Sequence, residues 1–195
     1  KVLSPQAILA RLTGSMGGAL GLLSGGVHDL PARQQTIRQT IEWSYNLLSV
    51  REQTLFRRLG VFVDGCTLDA IEDLCGTIKT ESLPRVQTGS YISPLDSAMA
   101  LLDHSVLRQV EGSDGEPRFF MSETLREYAF ESLIACNELE IMRLRHAEYF
   151  LRLIESIEPK LHGAEQESCL KLLDADYNNI RSALTWSCAS DIEIA

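Results

Sequence analysis

The sequence predicts a mainly α chain carrying a single β-hairpin. Apolar residues recur every three or four positions along most of its 195 residues, the helical period. The one convincing β signal is a pair of short runs, Val106–Glu111 and Pro117–Met121, flanking Gly112-Ser113-Asp114-Gly115. The hairpin falls after three predicted helices and before another, which is the plan of a three-helix core with a β "wing", a relative of helix-turn-helix.

Ser4-Pro5 opens a short helix, with serine as N-cap and proline in the first turn. Gly14 to Gly26 reads as loop or weak helix. After Pro31 a long helix runs from about Arg33 to Leu48. Ile37, Ile41, Tyr45 and Leu48 form one stripe and Thr36, Thr40, Trp43 and Leu47 a second, so burial on two sides is expected. Ser49-Val50-Arg51-Glu52 is a capping box for a helix that buries Leu55, Phe56 and Leu59; Gly60 is expected to end it in the left-handed conformation. Trp43, Tyr45, Phe56 and Phe62 are expected in the core. Thr67 caps a short helix to Cys75, with Leu68, Ile71 and Leu74 inward. Thr77 to Pro94 reads as an irregular loop. Ser93-Pro94 opens a helix to about His104, with Leu95, Met99 and Leu102 on one side.

Beyond the hairpin, Ser122 caps a helix to about Cys136 that turns Leu125, Tyr128, Ala129 and Leu133 inward. Asn137-Glu138-Leu139-Glu140 is a second capping pattern. It precedes the most periodic helix, with Leu139, Met142, His146, Phe150, Leu153 and Ile157 inward, ended by Pro159 and Gly163. Two further helices are expected near Glu165–Leu173 and Asp176–Ser187, the last with Tyr177, Ile180, Leu184 and Trp186 as apolar anchors. The expected fold class is therefore mainly α, a winged helix followed by an antiparallel helical arm resembling the start of an α-solenoid. The expected division is 1–30 as the end of a preceding helical region or linker, 31–136 as the winged helix, and 137–195 as an incomplete arm.

Five cysteines at long spacings, with no C-x-x-C pair, read as reduced apolar core fillers of a cytoplasmic protein. No run of 18 apolar residues occurs, so no membrane helix is expected. The start at Lys1 lacks both a signal peptide and an initiator Met, as an excised piece would. No G-x-x-x-x-G-K-[ST] and no G-x-S-x-G occurs, and Gly14, Gly17, Gly18 and Gly21 lack the lysine a phosphate loop needs. The four histidines are far apart, with no metal-binding spacing. His146 is expected as a core histidine with one ring nitrogen satisfied, and His104 as a helix end. The expectation is a non-enzymatic chain with no metal and no cofactor of its own.

The net charge is −9, and residues 33–135 hold ten basic against fifteen acidic side chains. The helix that would enter a DNA groove, about Leu95–His104, carries Asp96 and Asp103 and no cation. The expectation is accordingly a protein-packing element with no direct nucleic-acid contact through this segment. The alternative is a DNA-binding winged-helix repressor.

Leu30-Pro31-Ala32-Arg33-Gln34-Gln35-Thr36-Ile37-Arg38-Gln39-Thr40-Ile41-Glu42-Trp43-Ser44-Tyr45, Leu55 to Phe62, Leu101 to Leu107, and Pro117 to Ala129 together resemble the winged-helix segment of bacterial STAND regulators. These are signal-transduction ATPases often described as LuxR-type or antibiotic-regulatory activators. Arg145 to Phe150 and Asp176 to Leu184 look like the opening of that family's tetratricopeptide-like arm. The resemblance implies an upstream nucleotide-binding domain as this segment's partner, ATP or ADP in the full-length protein, self-oligomerisation, and an inducer or protein partner sensed by the arm. Relatives often place Met-His-Asp after the hairpin, where the histidine meets a nucleotide phosphate. Here Met121-Ser122-Glu123 stands there, leaving the Ser122 hydroxyl as the candidate phosphate contact and N-capping as its main expected task.

Overall fold

The computed structural model describes residues 32–75, 93–112 and 115–190. The expected helix at Ser4-Pro5, the glycine-rich stretch that follows, and most of the loop after Thr77 lie outside these residues. Among the described residues the chain is mainly helical, with one small antiparallel sheet.

Helix α1 spans Ala32–Leu47 and α2 spans Val50–Leu59. Ile41 and Leu48 are buried and Tyr45 packs on Phe56 with ring centroids 5.3 Å apart. The expected second stripe of α1 is not buried: Trp43 is 64% exposed and Leu47 61%. Periodicity defines a stripe but does not supply the surface that covers it. The Ser49–Glu52 capping box forms in full, Ser49 N donating to Glu52 Oε2 at 2.7 Å and Glu52 N to Ser49 Oγ at 3.4 Å. Gly60 is not left-handed; its φ is −60°. Its role is close approach, since a Cβ there would lie 2.7 Å from the backbone nitrogen of Phe130.

Gly65, at φ +76°, turns the chain into a strand the sequence did not announce, β1 at Cys66–Thr67. Thr67 Oγ1 accepts from Ala70 N at 3.2 Å and starts α3, Leu68–Cys75. Helix α4, Pro94–Asp103, begins with a Ser93–Asp96 capping box. It buries Ala98 and Leu101 completely, while Leu95 and Met99 face outward at 37% and 48% exposure, contrary to the expected stripe. The hairpin strands are β2, Leu107–Glu111, and β3, Pro117–Met121, paired in antiparallel register from Leu107↔Met121 to Glu111↔Pro117. Because β1 pairs antiparallel with β3, the sheet order is β1-β3-β2. Helix, short strand, two helices and hairpin in this order make a winged-helix-like unit.

Four helices follow: α5, Glu123–Ala135; α6, Leu139–Ile157; α7, Gln166–Ala175; and α8, Tyr177–Ala189. Helix α6 buries Met142, His146, Phe150 and Ile157, as its period requires. In α8 the anchors differ from expectation: Tyr177 and Leu184 are each 59% exposed, whereas Asn179 and Ala183 are buried. One core cluster runs from Phe56, Ile71, Leu74 and Leu101 to Ala129 and Phe150, with Leu153 and Ile180 packed on it. Each such large apolar side chain, fully removed from water, contributes about 1.5–3 kcal/mol. Among the cysteines Cys66 and Cys169 are buried, but Cys136 and Cys188 are exposed and cannot be core fillers. Burial pushes the Cys75 thiol up to about 11, so it stays protonated at neutral pH. No helix among the described residues is long and apolar enough to cross a membrane, and none of them forms a metal-binding cluster.

Candidate functional site

The outward face of the winged helix is built by α4 and the hairpin. Helix α4 presents Leu95, Asp96, Met99 and Asp103 to solvent. Along β2 only Leu107 is buried, and Arg108, Gln109, Val110 and Glu111 are exposed. The Arg108 guanidinium sits 5.4 Å from the centre of the Phe120 ring, which props the cation on the wing without neutralising it.

Ser122 lies at the junction of β3 and α5. It is exposed, with the extended backbone of an N-cap (φ −63°, ψ 151°), yet its side chain makes no capping hydrogen bond. Its carbonyl accepts from Arg126 N at 2.9 Å. The expected N-capping is thus made by backbone alone, and the hydroxyl remains uncommitted among the described residues.

Behind this face, two ionic sets, one buried and one half-buried, join the wing and α2 to the helices after the hairpin. Arg118 on β3 is 5% exposed and grips Asp176, itself 4% exposed, with Nη2–Oδ1 at 2.6 Å and Nη1–Oδ2 at 3.2 Å. A further bond runs from Arg118 Nη2 to the Ala175 carbonyl at 3.3 Å. Fully buried Asn179 extends the set: it donates to Asp176 Oδ1 at 3.1 Å and to the Gly65 carbonyl at 2.9 Å, and accepts from Val63 N at 2.8 Å. One arginine and one asparagine therefore fix β3 and the turn leading into β1 to the start of α8. In the second set Glu138 receives Arg57 Nη2 at 2.5 Å and Arg58 Nε at 2.7 Å. Burial would raise the Glu138 carboxyl, but the hydrogen bonds from Arg57 and Arg58 hold it below its ordinary range. With its side chain committed there, Glu138 cannot cap α6. The expected Asn137–Glu140 capping box is absent, and Asn137 instead takes φ +56°.

His146 is 2% exposed, among Phe62 and Phe150 at ring distances of 5.3 and 4.7 Å. Burial pushes its imidazole down to about 4, opposed by the neighbouring Asn179 amide. Its Nε2 has no hydrogen-bond partner among the described residues, an arrangement that costs about 1–3 kcal/mol. Sequence reading placed His146 in the core correctly. It gave no hint of Arg58, Arg118, Asp176 and Asn179 as buried polar groups, because their partners are distant in the chain.

No family model and no solved structure matches the chain. It is 34% identical over 169 residues to a protein of Mycobacterium bovis named "Putative HTH-type transcriptional regulator", and equally so to a protein of the same name from Mycobacterium tuberculosis. It is also 28% identical over 148 residues to an uncharacterized protein of M. tuberculosis, covering 75% of this chain and 34% of that protein. The named regulators overturn the expectation that this segment makes no direct contact with nucleic acid. That expectation rested on a whole-chain charge and one acidic helix, whereas DNA contact depends on where individual cations stand. The chain is therefore similar, across 85% of its own length and 18% of theirs, to mycobacterial proteins named as HTH-type transcriptional regulators.

Proposed function

We propose that the chain is the winged-helix segment of a transcriptional regulator and that it meets DNA through its wing. The observation that carries this reading is the sheet order β1-β3-β2, with α4 leading into the hairpin. The names of the mycobacterial relatives supply the class of function. The contact is assigned to the wing because Arg108 is exposed there, while the outward face of α4 carries Asp96 and Asp103, which repel phosphates. Ser122, an exposed hydroxyl at the start of α5, is the position proposed to meet a phosphate oxygen.

The test is fluorescence anisotropy of a labelled duplex titrated with the chain at several salt concentrations. Binding should weaken as salt rises. Arg108→Ala should lower affinity and reduce the slope of log K against log salt by about 0.9, one phosphate contact. An unchanged slope in the variant would refute contact through the wing.

A second reading is favoured by α4 itself, whose exposed Leu95 and Met99 beside Asp96 and Asp103 suit a protein surface better than a DNA groove. In it, the chain is the regulatory winged helix (31–136) and opening of the arm (137–195) of a longer STAND-type ATPase, working in nucleotide-dependent switching. The chain spans only 18% of the relatives' length, which leaves room for such a domain elsewhere in them. Retention of ADP or ATP by the full-length protein on purification would support this reading, and its failure to bind either would refute it.

A further inference from the structure

A cavity of about 560 Å³ opens between α5, α6, α8 and the Val61–Val63 turn. That volume is within the range of small-molecule sites. Its wall carries Arg126, Arg143 and Arg181 and no carboxylate at all, in a chain whose net charge is −9. Glu123 holds Arg126 in a two-pronged pair at 2.6 and 3.0 Å. Arg143 lies 5.4 Å from the Phe130 ring centre and makes a loose ion pair with Glu140 at 3.7 Å. Arg181 makes no ion pair among the described residues. Trp186 adds an aromatic surface, and His146, whose buried Nε2 has no hydrogen-bond partner among the described residues, forms part of the wall.

We propose that this cavity binds a planar aromatic anion, its acid group held by Arg181 and Arg143 and its ring laid against Trp186. Arg181, with no ion pair among the described residues, and Arg143, held only loosely by exposed Glu140 at 3.7 Å, offer guanidinium forks that match a carboxylate or a phosphate. An indole face beside them selects a flat ring over an aliphatic acid. Because the wall joins α5 and α8, an occupant would tie the helix after the wing to the last described helix. The proposal is independent of how the wing meets DNA.

The chain has two tryptophans, Trp43 and Trp186, so the Trp43→Phe variant leaves Trp186 as the sole indole reporter. That protein is titrated with benzoate, phenyl phosphate, benzamide, inorganic phosphate and a short DNA duplex. The expected result is a saturable change in Trp186 emission with benzoate or phenyl phosphate, at concentrations about tenfold below those of benzamide and inorganic phosphate. Whichever of the two acids binds more tightly identifies the acid group. Adding Arg181→Ala should weaken binding about tenfold, and Arg181→Lys by less, since charge is kept and the fork is lost. Thermal unfolding followed in parallel confirms that each variant is folded and should show a smaller stabilisation by the ligand in Arg181→Ala at the same ligand concentration. Equal response to benzamide and benzoate, no saturation up to about 10 mM, or indifference to Arg181→Ala would each overturn the proposal. A response to the duplex alone would also overturn it, assigning the arginines to a nucleic-acid backbone.

Discussion

Replacing Asp176 by alanine should destabilise the protein more than any surface substitution. The change leaves the Arg118 guanidinium, 5% exposed, without its carboxylate and takes an acceptor from Asn179. Two charge-assisted bonds from Arg118 disappear, at 2.6 and 3.2 Å. Breaking a buried pair by removing one member costs about 3–5 kcal/mol, mostly because the surviving charge stays buried. At about 2–4 °C per kcal/mol for a chain of this size, the melting temperature should fall by about 6–20 °C. Urea unfolding monitored by far-UV circular dichroism measures the loss directly. The double variant Arg118→Met/Asp176→Leu should recover most of it, because neither charge then remains in the core. A loss below about 1 kcal/mol, or a double variant no more stable than Asp176→Ala, would refute the claim that this pair is a desolvated joint.

Gly60→Ala should cost about 1–3 kcal/mol in the same urea assay, since its Cβ would meet the Phe130 nitrogen at 2.7 Å in a helix contact that cannot open without moving α5. His146 sets a pH dependence. Its folded imidazole is pushed down to about 4, so the unfolded chain takes up the proton first; stability is complete above about pH 6.5 and declines as pH falls towards 4, by on the order of 3 kcal/mol. His146→Leu should flatten that part of the wild-type pH profile of urea midpoints while costing at most about 1.5 kcal/mol at pH 8, and a variant whose profile overlays the wild type would exclude this role.

Features determined within a few residues were legible in the sequence. The Ser49–Glu52 box, the Thr67 cap, the hairpin and the inward face of α6 all follow from local spacing. What was missed depends on distant partners. Two residues at Cys66–Thr67 are too short to announce a strand, and become one only because β3 lies alongside. Gly60 reads as a helix terminator until the proximity of α5 is known. Trp43 and Leu184 satisfy the helical period, but nothing among the described residues covers them. The candidate site was legible only in part: the wing and Ser122 were visible, whereas Arg118 and Asp176 meet across 58 positions of sequence.

The sheet order also bears on how the molecule behaves at high concentration. Its two margins are β1, only two residues long, and β2, five residues long with most of its side chains in water. Among the described strands β2 offers the longer margin for extending the ladder, and there Arg108 and Glu111 act as gatekeepers, since charged groups on a short margin discourage intermolecular strand addition. Arg108 therefore has a second consequence: Arg108→Ala removes one of those gatekeepers, and its preparations should show a greater tendency to self-associate through β2, visible by light scattering before any DNA is added.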